Sequence, residues 1–186
     1  MERICLFGGS FHPIHLGHTY IAARAKQAFS LDKVIFLPCR QSPHKNHAPA
    51  PNAQRLSWIE SSCAGLPWAE VSDFEFHSPS PSFSWKTALH YSKLHPQAQL
   101  FWLMGTDQWN CIESWDSHEY FNELVTCIVF SRQHQPKTYP HLSCLHLEGN
   151  HDASSTSIRN APSSPQSRAW THPRIYSEIH QYSFGS

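Results

Sequence analysis

Phe7-Gly8-Gly9-Ser10-Phe11-His12-Pro13-Ile14-His15-Leu16-Gly17-His18 follows a short apolar run, residues 4–7, that reads as a buried strand, and leads into a helical pattern over residues 16–29. Gly8 and Gly9 carry no side chain to obstruct a ligand at the strand end, and Ser10 offers an amide and a hydroxyl to anion oxygens. His15 stands just before the helix and His18 in its first turn. Both can point past Gly17 toward the helix N-terminus, where unpaired amides and the macrodipole favour negative charge. Strand, small-residue turn and helix start, in that order, describe a place to hold a polyphosphate.

Further apolar runs rich in branched or aromatic residues recur at 34–37, 71–76, 100–104, 125–130 and 142–147. Between several of them lie positions with helical period: Ile21, Ala25 and Phe29; Leu56, Ile59 and Cys63; Ala88, Tyr91 and Leu94. The alternation predicts an α/β domain, a Rossmann-like doubly wound, mainly parallel sheet with helices on both faces. Ligands of such sheets sit at the carboxyl ends of the strands, near the reversal of strand order. Residues 38–52 and 133–141 read as loops, and the prolines of 162–173 break any helix that begins near Ser155. Beyond Pro173, Ile175, Ile179 and Tyr182 share one helical face, which predicts a C-terminal docking helix.

The chain's 186 residues suit a single domain, 1–186, with a core able to stand unaided. Fourteen basic residues balance fourteen acidic ones, without the Lys/Arg block that would follow a nucleic-acid backbone, so a nucleic-acid partner is not expected. The N-terminal apolar stretch is too short for a signal peptide and no window is long and apolar enough for a bilayer, so no membrane association and a cytoplasmic location are expected. The six cysteines lie far apart and read as reduced core hydrophobes. The fifteen histidines are scattered rather than gathered in a metal-storage tract, and they should make net charge climb steeply below about pH 6.5.

Near the other end, Ser154-Ser155-Thr156-Ser157-Ile158-Arg159 places hydroxyls at an apparent helix start and an arginine one turn later. The hydroxyls serve equally well as helix caps or as phosphate donors, and Arg159 projects from the side of Thr156 as a forked donor. His12, His15 and His18 also share a spacing of three, which as a metal cluster would need a fortunate geometry on a turn entering a helix.

Residues 7–18 and 154–159 together resemble the opening and closing motifs of the nucleotidyltransferases with a histidine-glycine-histidine signature, and within these the nicotinate mononucleotide adenylyltransferase family. The resemblance runs through the chain: Ser42-Pro43-His44-Lys45 is similar to that family's proline-histidine-lysine loop, residues 82–89 to its substrate segment, and Gly105-Thr106-Asp107 with Trp115 to its glycine, aspartate and tryptophan positions. It implies adenylyl transfer from ATP to nicotinate mononucleotide in NAD biosynthesis, with His15, His18 and Arg159 as catalytic residues. ATP would be held by these three with Gly8, Gly9, Ser10, Phe11, Gly105, Asp107, Arg132, Ser154 and Thr156. His44 and Lys45 would meet the mononucleotide phosphate, Phe83 and Ser84 a carboxylate, and Trp115 the pyridine ring. The metal ion, Mg2+, would bind through phosphates and water rather than protein carboxylates. Nicotinamide mononucleotide or phosphopantetheine are alternative acceptors, and a non-catalytic, histidine-rich metal-binding protein is the alternative of another class. Four positions depart from the family: His12 stands where aspartate is usual, Ser10 where threonine is commoner, and Pro162 and Pro165 replace a longer helix and a glycine.

Overall fold

The computed structural model describes residues 1–41, 49–79, 81–132 and 134–184. Six strands, β1 (Arg3–Gly9), β2 (Lys33–Pro38), β3 (Ala69–Val71), β4 (Gln99–Gly105), β5 (Thr126–Ser131) and β6 (Cys144–Glu148), form one sheet in the order β3-β2-β1-β4-β5-β6. Every pairing is parallel. Strand order therefore reverses between β1 and β4, which opens a crevice at their carboxyl ends.

Nine α-helices accompany the sheet among the described residues: α1 (Leu16–Ala28), α2 (Asn52–Cys63), α3 (Phe74–His77), α4 (Ser84–Leu94), α5 (Thr106–Trp109), α6 (His118–Leu124), α7 (Ser155–Asn160), α8 (Pro165–Trp170) and α9 (Tyr176–Gln181). The alternation of side chains along β1 feeds two cores. Cys5 and Phe7 pack under α1, α2, α7 and α9 with Ala22, Trp58, Ile158 and Ile179, while Ile4 and Leu6 pack under α4, α5 and α6 with Ala88, Trp109 and Phe121. Both faces are covered, so the central strands read as continuous apolar runs. Cys127 lies within β5, where burial pushes its thiol up to about 12, in keeping with a core hydrophobe.

Three sequence expectations need correction. The run at 71–76 is not a strand: pairing ends at Val71, the Ser72 hydroxyl accepts the Phe74 amide at 3.3 Å, and Phe74 opens α3. Polar Ser72 and Asp73 interrupt the apolar alternation there and favour a helix start. The last strand begins at Cys144 rather than Leu142. Residues 162–173 do break the helix that starts at Ser155, but they also carry one of their own: Pro165 occupies the first turn of α8, and the Ser164 hydroxyl accepts the Ser167 amide at 3.1 Å. The C-terminal helix docks as expected through fully buried Ile175 and Ile179. Among the described residues no helix is long and apolar enough to cross a membrane.

Candidate active site

The turn after β1 is shaped by what its glycines leave out. A Cβ on Gly8 would sit 2.7 Å from the Trp102 ring, and one on Gly9 would meet the Phe11 ring at 3.2 Å. Phe11 itself turns the backbone into the left-handed region at φ 44°, a conformation that a bulky residue adopts at a cost. Its ring holds that bend in place, buried beside Phe7, Phe36 and His18 at centroid distances of 5.0–5.8 Å.

His15 precedes α1 in an extended conformation, and its amide donates to His18 Nδ1 at 3.2 Å. Because Nδ1 of His18 is the acceptor, Nε2 carries the proton. The two imidazoles stack at 3.8 Å. Gly17 is required by that stack, since a Cβ would lie 2.9 Å from His15 Nδ1 and 3.2 Å from His151 Nδ1. His15 is only 6% exposed, and its Nδ1 is buried with no hydrogen-bond partner. An orphaned buried nitrogen is a cost that the fold carries at this spot.

Burial, reinforced by His18, His151 and Arg132, holds the His15 imidazolium far below the ordinary histidine range. The unfolded chain binds a proton below about pH 6.5 that the folded chain refuses, so stability falls as pH falls, by on the order of 1.4 kcal/mol per unit from this group. Urea unfolding at about pH 7.5 and about pH 5.5 should show that slope, and His15→Gln should flatten it. Equal slopes in the two proteins would mean that His15 titrates normally.

The closing motif docks directly on the opening turn. Arg159 donates through Nη1 to the His12 carbonyl at 2.7 Å and through Nη2 to Thr156 Oγ1 at 3.2 Å, and the Ser155 hydroxyl donates to the Pro13 carbonyl at 3.0 Å. Ser154 caps α7 by accepting the Ser157 amide at 3.4 Å. Arg132, just past β5, donates to the Ala153 carbonyl at 3.1 Å, which draws it to the same end of the sheet. His12 does not join its neighbours as a metal ligand: its Nδ1 accepts the Ala50 amide at 3.1 Å and its ring packs on Phe184 at 5.3 Å. An imidazole nitrogen thus serves as a backbone acceptor at the position where a carboxylate is usual. Among the described residues no group of three or more His, Cys, Asp or Glu is arranged to hold a metal ion.

A cavity of about 260 Å³ continues from this turn, lined by Gly8, Gly9 and Ser10 together with Phe83, Ser84 and Trp115. Phe83 and Ser84 begin α4, whose first amides lack partners within the helix. Gly105 ends β4 with open space above its Cα, and Asp107 is exposed in the short α5 that follows. The structure thus gathers the expected residues of both terminal motifs, Arg132 and the residues around Phe83, Gly105 and Trp115 at the carboxyl ends of the strands. His44 and Lys45 lie outside the described residues.

Three site residues escaped the sequence reading. His151 accepts the Ala153 amide at 3.1 Å through Nδ1 and leans over Gly17, a placement that no local motif announces. Arg55, 0% exposed, donates to the carbonyls of Ser10 and Cys39 at 2.8 Å and of Ala50 at 2.9 Å, and to Asn52 Oδ1 at 2.8 Å. It ties the turn after β1 to Cys39 on one side and to Ala50 and Asn52 on the other. Glu75 lines the cavity from α3. The only forewarning was a charged residue at a core-facing helical position, as at Arg55 one residue before Leu56.

A parallel sheet of this order, with a glycine turn, paired imidazoles and an arginine at its switch point, defines an α/β domain of the doubly wound class. The chain belongs to the cytidylyltransferase-like family, whose model matches residues 6–161. It is 42% identical over 131 residues to a probable nicotinate-nucleotide adenylyltransferase of Methylacidiphilum infernorum, a match covering 70% of this chain and 64% of that protein. A protein of the same name from Shewanella sp. strain MR-7 is 36% identical over 130 residues, covering 70% and 61%. The chain thus spans less than two thirds of the length of these curated relatives. These names bear out the resemblance read from the motifs. In fold it is similar to Plasmodium falciparum nicotinic acid mononucleotide adenylyltransferase complexed with NaAD, with a TM-score of 0.78 at 19% identity over 99% of this chain and 97% of that one. A putative nicotinate-nucleotide adenylyltransferase from Vibrio parahaemolyticus gives a TM-score of 0.69 at 18% identity over 96% and 99%.

Proposed function

We propose that residues 1–186 act as one nucleotidyltransferase unit, working in the cytoplasm, that joins ATP to nicotinate mononucleotide and yields nicotinate adenine dinucleotide and pyrophosphate, a step of NAD formation. The observation that carries this reading is the 2.7 Å bond from Arg159 to the His12 carbonyl, which closes the two terminal motifs around one phosphate turn that opens into an aromatic-walled cavity.

In the proposed step a phosphate oxygen of the mononucleotide attacks the α-phosphorus, and the bond to the bridging oxygen breaks as pyrophosphate leaves. The attacking oxygen is already anionic, so the protein need supply neither nucleophile nor strong base. Its contribution is alignment and the cancelling of charge on the leaving group. His18 Nε2 and the α1 amides face the triphosphate, with His15 behind them and Ser10, Ser154, Thr156 and Arg159 around its outer oxygens. Arg132 and Asp107 flank the ribose and base, and Gly105 lets them approach closely. His44 and Lys45 are assigned to the mononucleotide phosphate.

Transfers of this class generally use a divalent metal, and a cradle of imidazole and guanidinium without an acidic cluster suits one carried by the triphosphate and water. Mg2+ in that role would spread the charge of the phosphate oxygens.

Incubating the protein with ATP, Mg2+ and either nicotinate mononucleotide, nicotinamide mononucleotide or phosphopantetheine, then identifying the product, tests the reading. Formation of nicotinate adenine dinucleotide supports it; turnover of only another acceptor, or none, overturns it. Trp115, packed at 5.8 Å from Phe121, offers its ring to the pyridine. Trp115→Ala is expected to raise the acceptor KM about tenfold, since stacking contributes on the order of 1–3 kcal/mol per ring, and to leave the ATP KM nearly unchanged. An unchanged acceptor KM would exclude stacking there.

A further inference from the structure

Glu75 is a carboxyl at 4% exposure, with no basic residue bridging to it among the described residues. Taking such a group out of water costs several kcal/mol unless its oxygens are well partnered. Its hydrogen-bond donor is Thr87 Oγ1, on α4, at 2.8 Å, with the Ser82 hydroxyl beside it on the cavity wall. Burial pushes the Glu75 carboxyl above the usual range, and those two hydroxyls pull it back. The Ser82 hydroxyl in turn accepts the Arg40 amide at 3.3 Å, and the Ser82 amide donates to the Gln41 carbonyl at 3.4 Å. The carboxyl thus ties α3 to the body of α4, and Ser82, beside it, ties the segment before α4 to Arg40 and Gln41.

Phe83 and Ser84 lie between Ser82 and Thr87 in the chain, and both line the cavity with Glu75. We propose that Glu75 is a positioning residue for the acceptor: by accepting from Thr87 on α4, it holds the start of that helix so that its first amides meet the substituent of the pyridine ring. This rests on the reading of the cavity as the mononucleotide site. A carboxylate is suited to the task because either oxygen accepts, whereas a glutamine has one acceptor and can turn its amide group to the hydroxyl instead.

Steady-state kinetics of the full chain, with ATP and nicotinate mononucleotide varied in turn, test the proposal. Glu75→Ala should raise the acceptor KM about tenfold or more, the scale of a lost hydrogen bond to a charged group. Glu75→Gln should raise it less, and the ATP KM should stay within about twofold in both. Thr87→Val, which keeps the side-chain shape and removes the donor, should move the acceptor KM in the same direction and carries the comparison if Glu75→Ala does not fold. Acceptor KM values that stay put, or both KM values rising together, overturn the role of Glu75. Absence of dinucleotide from the unaltered protein overturns instead the assignment of the cavity, so the two failures are told apart.

Discussion

His18→Ala should lower turnover about 10²-fold or more while the protein remains folded, the scale expected when a donor aimed at developing charge is removed. The expectation follows from how the imidazole is spent. Its Nδ1 accepts the His15 amide at 3.2 Å, its face lies on His15 at 3.8 Å, and its edge meets Phe11 at 5.0 Å. These contacts orient the ring, and the proposed reaction assigns Nε2–H to the phosphate. His18→Asn separates the two roles, because its Oδ1 can still accept the His15 amide while nothing replaces Nε2. Both variants should unfold at temperatures close to the parent and lose pyrophosphate release together. Near-normal turnover of His18→Ala would remove the residue from the chemistry.

Arg55→Met is expected to cost about 3–5 kcal/mol of folding stability, among the largest effects of a single change. The thioether fills much of the stem's volume, so the loss comes from carbonyls rather than from a cavity. Ser10, Cys39 and Ala50 lose a charged donor at 2.8–2.9 Å, and buried carbonyls without a donor pay their full desolvation. Burial already lowers the Arg55 guanidinium below its usual value, the mark of a cation held by geometry rather than by water. Urea denaturation measures the loss, and a change below about 1 kcal/mol would show that other donors replace the guanidinium. Because Ser10 belongs to the turn assigned to the triphosphate, the ATP KM should rise in the same variant.

The residues that were legible in sequence are those whose signal is local. The strand at 4–7, its glycines and the helix from Leu16 are successive in the chain, and period alone separates them. Hydroxyls one turn before Arg159 likewise announce a helix start. Where local signals competed, the reading slipped: apolar residues at 71–76 outweighed Ser72 and Asp73, and prolines at 162 and 165 were read as breakers although Pro165 begins a helix. Arg55, Glu75 and His151 were not legible because their partners are distant along the chain or unremarkable in themselves. Arg55 meets Ser10 across 45 residues, and Glu75 is singled out only by what α4 brings over it.

By itself, then, the sequence determined the alternation of strands and helices, the glycine turn after the first strand and the two motifs that bracket the chain, since each is written in short-range periodicity, glycine placement and side-chain chemistry. Only the tertiary structure decided that Arg159 reaches the His12 carbonyl at 2.7 Å, that Gly17 must be bare beneath two imidazoles, and that a buried carboxyl and a buried guanidinium brace the turn and the cavity from outside the motifs. The physical reason is that hydrogen bonds to backbone carbonyls carry no sequence signature of their own. A carbonyl is present at every residue, and which one a side chain meets is set by how the sheet and its helices pack.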